Sequence, residues 1–86
     1  MQNIRWNLLK SERLKKTRGV SFEDILHGKL VAVKKNPARK DQNIMLFEYK
    51  RYIWIVPFII EENGDLFLKT LFPSRKYTKM FREEKL

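Results

Sequence analysis

The chain has 86 residues, 43% hydrophobic and 13% aromatic, with no cysteine and one histidine. That apolar content suits one folded domain over residues 1–86, with a core near the lower limit for independent stability, and it excludes a disulfide scaffold, thiol chemistry and thiolate metal sites. Nineteen Lys and Arg against ten Asp and Glu give a formal charge of +9, which selects a polyanionic partner, nucleic acid first and an acidic protein second.

A lone His27 cannot build a zinc site, and no acidic cluster recommends a metal held by carboxylates, so no metal or cofactor is expected. The longest apolar run is far short of the roughly 18 residues a membrane span needs. Met1 to Arg5 lack the apolar core of a signal peptide. A soluble cytoplasmic protein with no membrane partner follows.

In chain order, Ile4, Arg5 and Trp6 suit a short edge strand. Asn7 is an N-cap for a helix over Leu8–Lys16, which Gly19 stops. Leu8, Leu9 and Leu14 share no clean face, so this helix rests on propensity. Arg13, Lys15, Lys16 and Arg18 make its end basic, which suits the helix dipole as well as a ligand phosphate. Ser21 caps a second, short helix with Glu23 and Asp24 in its first turn, ending near Gly28. Val20, Phe22, Ile25 and Leu26 point inward, and His27 reads as a helix-end residue rather than a catalyst.

Leu30–Val33 suits a strand, and Lys34–Asn43 an exposed basic loop. Ile44–Tyr49 is the next strand, turned by Lys50-Arg51 into Tyr52–Ile60. That last run is apolar throughout except for Pro57 and must lie inside a sheet, with Trp54 and Phe58 in the core. Pro57 cannot donate to a ladder, so a bulge or bend is expected near it. Asn63-Gly64 then signals a hairpin into a strand over Leu66–Phe72. Pro73-Ser74 ends that strand and caps a short helix, whose stripe Tyr77, Met80, Phe81 docks on the sheet. The fold expected is α+β: an antiparallel β-sheet of about four strands, two N-terminal helices on one face and a short C-terminal helix.

The motifs Trp6-Asn7, Arg18-Gly19-Val20-Ser21-Phe22-Glu23-Asp24 and Pro73-Ser74-Arg75-Lys76-Tyr77-Thr78, in that order, resemble the BrnT-type toxins. These belong to the RelE-like superfamily of type II toxin–antitoxin ribonucleases. Arg18 stands where such sequences usually carry His. The resemblance spans nearly the whole chain. It implies a curved antiparallel sheet with helices on one side, cleavage of mRNA, and neutralisation by a co-encoded antitoxin, here an acidic protein.

Cleaving RNA needs a base for the 2′-hydroxyl, positive charge on the developing phosphorane and an acid for the leaving 5′-oxygen. Arg75 is the first choice for the phosphorane, because a planar guanidinium grips two phosphate oxygens and a helix N-terminus adds amide donors. Lys69 interrupts an apolar strand and must point to an exposed face, ready for the scissile phosphate or simply for solvent. Tyr77 suits acid–base work or base stacking, although its spacing to Met80 and Phe81 favours packing. Lys16, Arg18, Lys76, Lys79 and Arg82 suit backbone phosphates. No His or Glu stands out as a base, which fits an enzyme that relies on the ribosome to orient its message. Two other readings stay open: a non-catalytic nucleic-acid-binding module, and an inactive homologue that only binds an acidic protein.

Overall fold

The computed structural model describes residues 3–86. The elements are β1 (Ile4–Arg5), α1 (Leu8–Arg18), α2 (Phe22–Leu26), β2 (Lys29–Lys35), β3 (Asn43–Tyr49), β4 (Tyr52–Ile60), β5 (Leu66–Leu68), β6 (Phe72–Pro73) and α3 (Arg75–Arg82). The sheet runs β1-β5-β4-β3-β2, with β6 paired to β4. The expected α+β class holds, but the antiparallel sheet of about four strands is corrected to a mixed sheet of six. Ile4 and Arg5 pair in parallel with Leu66 and Phe67, while every other pairing is antiparallel.

Pro57 explains part of that correction. On the β3 side the ladder is unbroken from Asn43↔Phe58 to Tyr49↔Tyr52, so no bulge falls there. The effect of the proline falls on its other neighbour. The Lys69 amide donates to Pro57 O at 2.8 Å, but the reciprocal bond needs an N–H that Pro57 lacks. The chain leaves the ladder after Leu68 and returns one residue out of step: counting from Phe58↔Leu68 puts Leu71 opposite Ile55, yet Phe72 stands there. The expected strand Leu66–Phe72 is therefore two short strands around a bulge. A second irregularity lies between Leu30 and Ala32 in β2.

The β4–β5 turn uses Gly64 alone at positive φ, +90°. Its amide bonds to Glu61 O at 2.8 Å, and Glu61 N reaches Asp65 O at 2.7 Å. This is a three-residue hairpin loop with a glycine bulge, in which the Asn63 side chain accepts from the Asp65 amide at 3.0 Å. The expected basic loop begins later than thought, because β2 extends through Lys35. Asn36 organises it, with Oδ1 accepting from Ala38 N at 2.9 Å.

The sheet buries both faces. On one, Met45, Phe47, Val56, Phe58, Leu68 and Leu71 meet Leu14, Val20, Phe22 and Ile25 from the α1–α2 segment. On the other, Ile44, Leu46 and Ile53 meet Tyr77 and Phe81 of α3. Phe58 is buried and Trp54 packs against the first cluster, as expected of core residues. The indole Nε1 of Trp54 is buried without a partner among the described residues.

The poor periodicity of α1 has a polar cause. Leu8 and Leu9 are exposed while Ser11 and Leu14 are buried. Ser11 Oγ donates to Glu23 Oε1 at 2.5 Å and accepts from Phe22 N at 3.0 Å. Trp6 Nε1 donates to the other Glu23 oxygen at 3.2 Å. Asn7 caps α1 and Ser21 caps α2 in a capping box with Asp24.

Candidate nucleic-acid interface

The C-terminal helix is placed by three local features. Ser74 Oγ accepts from the Tyr77 amide at 3.1 Å and caps it. Ser74 N donates to Ile53 O at 2.9 Å, tying the cap to the central strand. Tyr77 and Phe81 then lie on the sheet while Lys79 between them faces out. Arg75, Lys79 and Arg82 fall on one side of α3 by the helical spacing of three and four. Together with Tyr52, Thr78 and Glu83 they line a cleft of about 430 Å³. Arg75, Lys79 and Arg82 are exposed, and none is in an ion pair among the described residues. Clustered cations without partners raise the local potential and draw an anion. The Arg75 and Lys76 amides open the helix, where backbone donors lack an intrahelical acceptor.

The neighbouring hairpin adds more charge. Lys50 and Arg51 form a two-residue turn between β3 and β4, at φ of +51° and +65°. Both positions favour Asn or Gly. Two long basic side chains occupy them instead, and Arg82 Nη2 donates to Arg51 O at 3.3 Å.

Lys69 lies in a different cleft, of about 420 Å³, with Lys10, Arg39, Asn36, Gln42 and Thr70, floored by Pro57 and Phe72. Its Nζ is 5.6 Å from the Phe67 ring centroid. Phe67 alternates with buried Leu68 on β5, and Lys69 follows at the bulge, beside Lys10 of α1. Lys10 and Arg39 are the residues sequence reasoning missed. Their only signal is charge, and the β2–β3 pairing and the start of α1 bring them to Lys69.

The remaining candidates are dispersed. The Tyr77 ring packs beside Ile44, Leu46 and Ile53, with Lys76 Nζ at 5.6 Å from its centroid. Lys16 lines a cleft on α1 with Glu12, Lys15 and Glu23. Arg18 Nη1 donates to Leu71 O at 2.6 Å, capping a carbonyl that the bulge beside Pro57 has taken off the ladder. His27 is the exposed C-cap of α2.

The shifted titrations belong to the α1–α2 contact. The Lys15 ammonium, 2.7 Å from Asp24 Oδ2, and the Ser21 amide hold the Asp24 carboxyl at about 2. The same pair raises Lys15. Bonds from Ser11 and from its own backbone amide lower Glu23. These carboxylates are committed to structure. Among the described residues no three His, Asp or Glu side chains converge on a point that could hold a metal, and no helix is long and apolar enough to cross a membrane.

No protein-family model matches the chain, and no curated protein matches it. Among solved structures, the chain is similar to the 1.1 Å crystal structure of the ribonuclease toxin BrnT of Brucella abortus. The two superpose with a TM-score of 0.57, covering 86% of this chain and 97% of that one at 19% identity. The chain therefore has a BrnT-type fold.

Proposed function

We propose that this chain is the toxin of a type II toxin–antitoxin pair, a metal-independent endoribonuclease that cleaves mRNA in the cytoplasm and arrests growth. What carries the reading is the cleft formed by Arg75, Lys79, Arg82 and Tyr52 on a BrnT-type fold. The 2′-hydroxyl attacks the adjacent phosphorus and the bond to the 5′-oxygen breaks, leaving a cyclic phosphate and a free 5′-hydroxyl. Arg75 neutralises the charge that grows on the non-bridging oxygens, aided by the first amides of α3. Lys79 and Arg82 hold flanking phosphates, and Lys76 adds to the field. Lys69, with Lys10 and Arg39, grips the strand at a second point, in the separate cleft they share. Tyr77 contributes its ring to the core, and its hydroxyl is one acid–base candidate; Tyr52 and Glu83, which line the cleft itself, are others. Arg18 acts through Leu71 O on the bulge that precedes α3, while Lys16 lies apart and binds RNA only as part of the general field. The ribosome orients the message, and an acidic antitoxin neutralises the toxin.

The test is induced expression of the parent and of Arg75→Ala, followed by growth and by primer extension on a reporter message. Growth arrest with new 5′ ends in the parent, lost in a folded Arg75→Ala, supports the reading. No arrest and no cleavage in the parent favours the non-catalytic binder; absence of RNA retention at low salt as well favours a purely protein-binding module.

A further inference from the structure

The cleft around Lys69 is lined by hydrogen-bond donors. Lys10, Arg39 and Lys69 surround it, and no carboxylate is among its lining residues. Pro57 and Phe72 give it an apolar floor. In register Pro57 stands opposite Ile44 and Phe72 opposite Ile55, and both isoleucines belong to the cluster with Tyr77 and Phe81. The floor therefore continues the sheet face that carries α3.

One more side chain of the lining is oriented by its neighbour. The Ala38 amide donates to Asn36 Oδ1 at 2.9 Å, which fixes the two ends of the Asn36 amide. Asn36 Nδ2 is then left to donate, and it meets Gln42 Oε1 at 3.3 Å. With its oxygen engaged, Gln42 offers the cleft its nitrogen, a donor. Thr70 adds a hydroxyl that can donate or accept.

An apolar floor suits the flat face of a base, and cations at the rim suit its phosphates. Donors at the edge choose among bases. Guanine shows two adjacent acceptors, N7 and O6, whereas adenine and cytosine each present an amino donor and uracil a single acceptor, O4. We propose that this cleft is a base-reading subsite that takes an unpaired guanine of single-stranded RNA, with Gln42 and Arg39 specifying it. The Lys69 amide donates to Pro57 O at 2.8 Å and the Ser74 amide to Ile53 O at 2.9 Å. Cleft and α3 cap are thus four residues of β4 apart, about 13 Å, a gap that a few nucleotides of extended strand span. The inference rests on the RNA reading for its ligand, and it adds a sequence preference that charge alone does not supply.

The probe is a set of labelled 2′-O-methyl hexamers, which cannot be cut: oligouridine, and the same strand with one central guanine, adenine or cytosine. Titrated with the full chain by fluorescence anisotropy, the guanine strand is expected to bind about tenfold tighter than the others. Gln42→Ala lowers that ratio and leaves oligouridine binding as in the parent. Gln42→Glu, which sets an acceptor against N7 and O6, abolishes the ratio; thermal melts confirm that both variants fold. Arg75→Ala weakens every strand and keeps the ratio. Equal binding of all four strands by the parent overturns the subsite and leaves the ribonuclease reading in place. A guanine preference retained by folded Gln42→Glu overturns it as well. Guanine-selective binding by a parent that cuts no RNA keeps the subsite and overturns the ribonuclease. No binding of any strand at low salt removes both.

Discussion

The amide of Ile53, on the central strand, donates to the hydroxyl of Thr78 on α3 at 2.9 Å, and that hydroxyl donates to Ser74 O at 2.6 Å. Thr78 is 3% exposed. One oxygen thus fixes the height of the basic helix above the sheet, because Pro73 and Ser74 have ended the strand that would otherwise satisfy Ile53 N.

Replacing Thr78 by Val keeps the shape and orphans a buried amide. A loss of about 1–3 kcal/mol is expected, with Thr78→Ser close to the parent. Urea unfolding of the three proteins measures it; a Val variant as stable as the parent would mean that water reaches Ile53 N.

At Arg75 the expected signature is kinetic. Arg75→Ala lowers the cleavage rate roughly 10²–10³-fold while the melting temperature stays, and Arg75→Lys recovers part of it. Lys79→Ala instead weakens RNA binding and lowers the salt slope by about 1, with a smaller effect on the chemical step. A cleavage rate unchanged in Arg75→Ala moves the centre to Lys69 and its neighbours Lys10 and Arg39.

The Lys50-Arg51 turn holds two non-glycine residues at positive φ. Lys50→Asn with Arg51→Gly relaxes both, and stability should rise by about 1 kcal/mol or more. RNA affinity should fall in the same variant, since two cations beside Arg82 are lost. Gained stability with unchanged affinity would show the turn to be outside the interface.

The acid limb of stability carries the Asp24 pair. Its carboxyl ionises at about 2, below the ordinary 3.8. A carboxyl depressed on folding adds stability above the ordinary value and loses it as pH falls toward the folded one. The difference in melting temperature between the parent and Asp24→Asn should therefore be constant near neutral pH, shrink below about pH 4 and be mostly lost by pH 2. A difference undiminished at pH 2 would assign the effect to hydrogen bonding alone. Because the pair is partly exposed, added salt should reduce it.

The sequence carried the elements that local chemistry decides. Asn7, Ser21 and Ser74 announce helix starts, and the apolar run Tyr52–Ile60 announces a central strand. What it hid depends on partners far along the chain. The parallel docking of Ile4–Arg5 has no local signal, and the Pro57 bulge appears on the opposite strand. The residues behind the family resemblance are mostly structural: Trp6, Glu23 and Asp24 fasten α1 to α2, while Ser74 and Thr78 fasten α3 to β4. Of that set, Arg75 and Lys76 are left facing outward. Lys69 was legible as an outward cation, but its companions were not, because like charges share no periodicity until a sheet aligns them.

The parallel strand also sets an order of assembly. Asn3 meets Asp65 across a sequence separation of 62, through its own amide to Oδ1 at 3.1 Å and through its carbonyl to the Leu66 amide at 2.8 Å. A chain emerging from the ribosome cannot close this pair until β5 has cleared the exit tunnel. Closing so long a loop costs entropy that nearer contacts do not, so β1 docks after the β2–β4 meander has formed. During synthesis the first strand therefore waits for β5, and the apolar surface that Ile4 and Leu66 share is assembled late.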